Sequence, residues 1–355
     1  MMTTMMKAAV FREPGRIELE ERPVPTTGAD ELLVRVRAAS ICGTDLRIAR
    51  HGHFRLPSGT SRVLGHEVAG EVVEAGPATG FAAGERVSVT PNVGCGRCEF
   101  CRHGLNNMCP DYEAFGITLD GGFAEYLRVP AIAVQRGNVF RLPASLTSTE
   151  AALVEPLSCC VRGQDALDVR YGDVVVIVGA GPIGICHVQL ARLAGARKII
   201  VANRSAPRLD AAKRAGADVL VQAAGDELRE VVAEHTDGRG ADVVITCVSS
   251  AEVQSAAVEL LATHGRLNFF AGLGQGGTVA IDTNRLHYKG LVLTGTTGSS
   301  NADYARALEL VGDGRVDVAS LVSRAFGIDE IHDALAHAAS GRGMKAVITF
   351  GEEQS

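Results

Sequence analysis

Between residues 7 and 90, apolar positions come in short runs broken by turn clusters: KAAVF (7–11), ELLVRVRAAS (31–40), VAGEVVEAG (68–76) and ERVSVT (85–90). This rhythm predicts a mostly antiparallel β region. Residues 92–112, rich in Cys, Gly and Asn, read as loop, and GGFAEYLRVP (121–130) and VFRLP (139–143) resume the strand pattern. Near residue 150 the period changes, and STEAALVEPLSCCVRGQDAL (148–167) reads as helix. Strands then alternate with helices: DVVVIVG (173–179), a helix from about 182, KIIVAN (198–203), a helix at about 206–215, DVLVQ (218–222), a helix around 226–235, ADVVITCV (241–248), a helix around 251–262 and GRLNFFAG (265–272). That alternation predicts a parallel sheet with helices on both faces. Late strands are expected at TVAID (278–282), LVLTG (291–295) and KAVITF (345–350), with helices at NADYARALELVGDG (301–314) and around 328–339. The 355 residues exceed what one hydrophobic core usually serves, so the expected class is α/β with two domains.

Composition narrows the classes. With 46% hydrophobic and 21% charged residues the chain reads as a soluble globular protein. A net charge of −6 argues against a nucleic-acid partner. The start, MMTTMMKAAV, lacks the basic-then-apolar order of a signal peptide. The longest apolar run, VVVIVGAGPIGIC (174–186), is short for a membrane span and holds three glycines and a proline. A cytoplasmic location without a membrane partner is the expectation. Four of the nine cysteines fall within fifteen residues, which favours metal binding over disulfides.

Those four, Cys95, Cys98, Cys101 and Cys109, follow the spacing C-x2-C-x2-C-x7-C. Four thiolates from one loop close a tetrahedral shell around Zn2+ with no open position, as in a structural site. The last gap is too long for a ferredoxin-type iron–sulfur run. A second set is dispersed: Cys42 in SICGTD, His66 and Glu67 in LGHEVAG, and Glu155 in VEPLS. Singly, each is as readily a core or surface residue. Together, thiolate, imidazole and carboxylate form a set that leaves one position for water or substrate, as catalytic zinc requires.

A nucleotide motif follows. Gly179, Gly181 and Gly184, with Pro182 and Ile183 between them, form G-x-G-x-x-G after an apolar strand and at the start of a helix. The glycines serve a tight turn, close approach of the backbone to a pyrophosphate and helix–strand packing. About twenty residues later, NAD-binding chains carry an acid for the ribose hydroxyls. Here that place holds Asn203, followed by Arg204, Ser205 and Arg208. An amide does not repel the extra phosphate of NADP, and guanidinium groups grip phosphate with paired hydrogen bonds. NADP is the expected cofactor, with NAD, served by the amide oxygen, the alternative.

The segment GHEVAGEVVEAG (65–76), the run Cys42-Gly43-Thr44-Asp45 and the four-cysteine lobe together resemble the zinc-dependent medium-chain alcohol and polyol dehydrogenases, in the branch of sorbitol and threonine dehydrogenases. The resemblance runs nearly the whole chain. It implies a GroES-like, mostly-β catalytic domain over 1–156 and 293–355, and a Rossmann domain, a doubly wound parallel sheet, over 157–292. It implies two zinc ions per chain. The catalytic ion is held by Cys42, His66 and a glutamate, either Glu67 or Glu155. Thr44 matches the hydroxyl that starts a proton relay, while Arg47 stands where alcohol dehydrogenases often have a histidine. The implied reaction is oxidation of a secondary alcohol to a ketone by hydride transfer to the nicotinamide. Sorbitol dehydrogenases carry Tyr at the place of Ile48 and an Arg-Tyr pair near Gly295-Thr296, which weakens sorbitol itself; another polyol, a cyclitol or a sugar-derived alcohol is the expected substrate, with a simpler secondary alcohol also open. The alternatives are a threonine-type 2-amino-3-hydroxy acid dehydrogenase and, from another class, a non-catalytic zinc-binding structural protein. A homo-oligomer, dimer or tetramer, is expected, with TVAID and LVLTG pairing across subunits.

Overall fold

The computed structural model describes residues 4–57, 59–222, 225–274 and 276–351. The chain divides into two compact units, Met1–Ser158 with Gly298–Ser355, and Cys159–Thr297. The first division falls within the helix Val154–Asp165.

The first unit is built on β-sheet. One sheet runs in the order Val139–Arg141, Arg86–Val89, Glu67–Ala75, Leu32–Ser40, Lys345–Thr349 and Val322–Gly327, with Tyr126–Val129 also on Leu32–Ser40. Val34, Val36, Val68, Val72, Val87 and Ile348 from these strands are buried in one core. Such residues suit a half-buried pleated surface. A smaller antiparallel sheet joins Met5–Glu13 to Arg16–Pro23 and Arg62–Val63. The periodic reading passes over Arg16–Pro23, because RIELEERP is mostly charged; pairing along Met5–Glu13 and ion pairs such as Arg12–Glu20 (2.5 Å) define it. It also passes over Val322–Gly327, which gains its strand state by parallel pairing with Lys345–Thr349.

The second unit holds a six-stranded parallel sheet in the order Val219–Val221, Lys198–Ala202, Val174–Val178, Ala241–Thr246, Leu261–Phe269 and Val292–Gly295. Numbered along the chain this order is 3-2-1-4-5-6, the doubly wound nucleotide-binding arrangement. Val174–Val178 sits at the centre and is buried at all five positions, so its sequence is continuously apolar rather than alternating.

Three expectations are corrected. Val292–Gly295 belongs to this second sheet, where Arg266–Phe269 pairs with it in parallel, and the second unit runs to Thr297 rather than ending at 292. TVAID forms no strand: 278–282 has no ladder partner, and Asp282 instead caps the helix Thr283–Lys289 by accepting from Asn284 N. The helix expected at 251–262 ends at Glu259, and a strand begins at Leu261, where pairing with Ala241 overrides helix propensity. Among the described residues, no helix is long and apolar enough to cross a membrane.

Candidate active site and metal centres

Strand pairing assembles the dispersed metal residues. Glu67 lies opposite Ser40 in the antiparallel ladder, and Cys42 follows two residues after that strand ends. His66 immediately precedes Glu67. One ligand atom each from Cys42, His66 and Glu67 lies within 4.8 Å of the others. His66 and Glu67 are buried, and Cys42 is half-buried at the N-cap of the helix Gly43–His51. That helix does not show in the strand-like reading of residues 7–90.

Asp45 ties the set together. It is fully buried, accepts from Cys42 N (2.9 Å) and Gly65 N (3.2 Å), and approaches His66 Nδ1 at 3.2 Å. A carboxylate on one ring nitrogen fixes the imidazole's orientation and leaves the other nitrogen to a metal. Burial pushes the His66 pKa down, but the charges of Asp45 and Cys42 outweigh it and hold it well above 6.5. A mixed thiolate, imidazole and carboxylate set at this spacing fits zinc, with room for a further ligand.

The two glutamates carried as alternatives are placed differently. Both oxygens of Glu67 accept from Lys345 Nζ, at 2.7 and 2.5 Å, and the same ammonium donates to Ile41 O at 3.0 Å. Burial lowers the Lys345 pKa, but the charges of Glu67 and Cys42 overcome this and raise it above 10.5. Glu155, in the first turn of Val154–Asp165, is buried and acts electrostatically on Lys345 and Tyr304, outside the close group of three. The sequence reading missed Lys345; the only signal was a charge opening an otherwise apolar strand, KAVITF.

Thr44 is half-buried at the start of the Gly43–His51 helix, two residues beyond Cys42. Arg47 and His51 on that helix are exposed, whereas Ile48 is fully buried in the core. His53 stacks on Phe54, and burial, with Arg47 and Arg55, lowers its pKa below 6.5.

The four lobe cysteines also converge. Their Sγ atoms lie within 4.8 Å of one another, compatible with the S–S spacing of about 3.8 Å that tetrahedral Zn–S bonds of roughly 2.3 Å require. Cys98 Sγ caps the short helix Glu99–Arg102 by accepting from Cys101 N at 3.5 Å, and Cys109 Sγ accepts from Cys95 N at 3.3 Å. Backbone N–H groups of Arg97 and Cys98 lower the Cys95 pKa to about 6, while burial raises Cys101 to about 12. Backbone donors and crowded thiols of this kind suit an ion that holds all four as thiolates.

In the second unit, the glycine turn runs from Val174–Val178 into the helix Pro182–Leu193, with Gly181 at its N-cap and Pro182 at its first position. Gly179 has φ +107°, and a Cβ on Gly184 would sit 1.9 Å from Gly179 O. Positions 179 and 184 are therefore closed to side chains, whereas a Cβ at Gly181 would meet nothing nearer than 3.9 Å. Gly184→Ala is expected to lose nucleotide binding by at least tenfold, of order the worth of one charge-assisted hydrogen bond. A cofactor dissociation constant equal to the wild type's would contradict this.

Asn203 does more than replace an acid. Its Oδ1 accepts from Ala180 N and its Nδ2 donates to Ser205 O, both at 3.2 Å, so the amide ties the glycine turn to the next loop. Ser205 stands at the N-cap of Ala206–Arg214 without a side-chain cap bond, and no acid occupies that helix's first turn. Arg204 is exposed. Arg208 is half-buried and brings Nη1 to 3.9 Å from where a Gly181 Cβ would stand. Asn203 and Arg208 thus border the glycine turn, and Ser205 is tied to it through the Asn203 amide.

Comparison with known proteins agrees with this architecture. Residues 28–139 match the alcohol dehydrogenase GroES-like domain, and residues 182–313 the zinc-binding dehydrogenase domain. The sorbitol dehydrogenase of Halalkalibacterium halodurans is 32% identical over 97% of this chain and 99% of its own. The L-threonine 3-dehydrogenase of Pyrococcus horikoshii is 34% identical over 98% of this chain and 99% of its own. Among solved structures, a zinc-binding dehydrogenase from Sinorhizobium meliloti 1021 bound to NADP is 36% identical, with a TM-score of 0.90 over 98% of this chain and 100% of that one. The chain belongs to the zinc-dependent medium-chain alcohol dehydrogenase family and is a dehydrogenase of the polyol and threonine type.

Proposed function

We propose that the protein oxidises a secondary alcohol, a polyol, cyclitol or sugar-derived alcohol, to the ketone with a preference for NADP. The convergence of Cys42, His66 and Glu67 carries the reading, since three protein donors of this kind leave a position for substrate. Zinc bound there supplies Lewis-acid stabilisation of the alkoxide, and NADP+ supplies the hydride acceptor. The chain's own residues do the remaining work. Asp45 orients His66, and Glu67 and Glu155 provide carboxylate charge at the site. Thr44 is the hydroxyl assigned to take the alcohol proton and pass it outward. Cys95, Cys98, Cys101 and Cys109 hold a second zinc whose role is structural, giving two ions per chain.

The cofactor preference rests on Asn203, Arg204, Ser205 and Arg208, and the NADP-bound structural relative supports it. Asn203→Asp is expected to shift the ratio of kcat/KM for NADP+ over NAD+ toward NAD+ by about tenfold or more, the worth of one charge-assisted hydrogen bond. A wild-type enzyme that favours NAD+ would overturn the cofactor assignment. The threonine dehydrogenase relatives give the second substrate reading its weight. Steady-state rates with threonine, sugar alcohols and simple secondary alcohols separate the two; turnover of threonine alone would replace the polyol reading. Ile48, buried where sorbitol dehydrogenases carry a tyrosine, disfavours sorbitol itself. Val292, 53% exposed on the strand that ends the parallel sheet, is where a second copy would pair in a homo-oligomer.

A further inference from the structure

Gln164 Oε1, His187 Nε2 and Asn268 Oδ1, all in the second unit, are buried and have no hydrogen-bond partner among the described residues. His187 and Asn268 are fully buried, and Gln164 is 7% exposed. The rest of each polar group is committed. Gln164 Nε2 donates to His187 O at 3.0 Å and meets His187 Nδ1 at 3.4 Å. Asn268 Nδ2 donates to Gly163 O at 3.2 Å and to Thr296 Oγ1 at 3.1 Å. Turning either amide over would set its oxygen against a backbone carbonyl, so both orientations are fixed. His187 Nδ1 faces an amide donor and accepts, which puts the ring proton on Nε2. Burial lowers the His187 pKa to about 3, so the ring is neutral. The unmet groups are therefore two acceptors and one donor. Their side chains gather at Gly163 and Gln164 in the helix Val154–Asp165. A Cβ on Gly163 would lie 3.1 Å from His187 Cε1 and 3.0 Å from the Phe270 ring, which meets the imidazole edge-on with centroids 4.8 Å apart.

An anion in this place would face two carbonyl oxygens, and a cation would face an N–H, so neither suits the set. A water molecule offers two donors and an acceptor, and a buried water makes about three hydrogen bonds. We infer that Gln164 Oε1, His187 Nε2 and Asn268 Oδ1 bind one internal water, and that this bridge makes His187 a positioning residue for the helix Pro182–Leu193. That helix starts at the glycine turn, with Gly181 as its N-cap, and Asn268 lies on the strand Leu261–Phe269 of the parallel sheet. The bridge holds the helix of the glycine turn against that strand. The water site stands on these side chains alone, and its bearing on the cofactor rests on the nucleotide reading above.

A high-resolution crystal structure of the wild type should show one ordered water within hydrogen-bond distance of all three atoms. Thermal melts add an energetic test. His187→Leu removes the donor and strands two carbonyl oxygens, so the melting temperature should fall by about 3 °C or more. Asn268→Leu should also lower it. No direct hydrogen bond joins the Asn268 and His187 side chains, so independent groups would give additive losses, whereas a shared water makes the double variant lose less than the two single losses together. His187→Gln carries an amide N–H about as far out as Nε2 and should keep the water and melt near wild type. The dissociation constant for NADP+ should rise by about threefold or more in His187→Leu and return in His187→Gln, of order the worth of one hydrogen bond. A well-ordered crystal structure with no water between the three atoms would overturn the site, as would additive losses. An unchanged dissociation constant in a His187→Leu protein that has lost the water would overturn the positioning role. If the wild type binds neither NADP+ nor NAD+, the nucleotide reading fails and takes the positioning role with it, while the crystal structure and the melts still decide the water site.

Discussion

Cys42→Ser is expected to remove almost all turnover while the chain still folds. The substitution removes the thiolate from a set of three ligand atoms that lie within 4.8 Å of one another. A serine hydroxyl is not ionised at neutral pH and does not replace a thiolate as a zinc ligand. Lewis-acid stabilisation of the alkoxide is worth several kcal/mol, so kcat/KM should fall by at least about a thousandfold. Stability should change little, because Cys42 is half-buried at a helix N-cap, where serine is a favoured residue. Steady-state kinetics beside a thermal melt separates the two effects. Wild-type activity in the variant would refute the catalytic site.

Cys98→Ser is expected to have its large effect on stability instead. Cys98 contributes one of four converging sulfurs and caps the helix Glu99–Arg102. Three thiolates and a hydroxyl no longer close the shell, and the binding energy of a structural zinc is folding energy for its lobe. The melting temperature should fall by about 5 °C or more, since roughly 1 kcal/mol shifts a chain of this size by only a few degrees. Stripping zinc from the wild type with a strong chelator should reproduce the drop. A melting curve that matches the untreated wild type after either change would contradict a structural zinc.

The parts of this molecule written in local pattern were the parts legible from sequence. Val174–Val178 is buried on both faces, so its apolar run pointed straight to a central parallel strand. The lobe cysteines are close in sequence as well as in space, and spacing alone disclosed them. Cys42, His66 and Glu67 needed the resemblance to a family, because a ladder pairing Glu67 with Ser40 is invisible to periodicity. Lys345 lies 278 residues from Glu67, and nothing local announces that its ammonium is buried against that carboxylate. Tertiary pairing likewise decided the strand Val292–Gly295 for the parallel sheet, and its absence left TVAID without strand structure. At Asn203 the sequence identified the missing acid, but not that the amide ties Ala180 to Ser205.

Zinc titration of metal-free enzyme, with NADP+ and a responsive alcohol present, separates the roles of the two metal sites. Two ions should bind per chain. One restores thermal stability and depends on the lobe cysteines; the other restores nicotinamide reduction and is lost in Cys42→Ser. Full activity with a single ion per chain, or activity that persists without zinc, would contradict this.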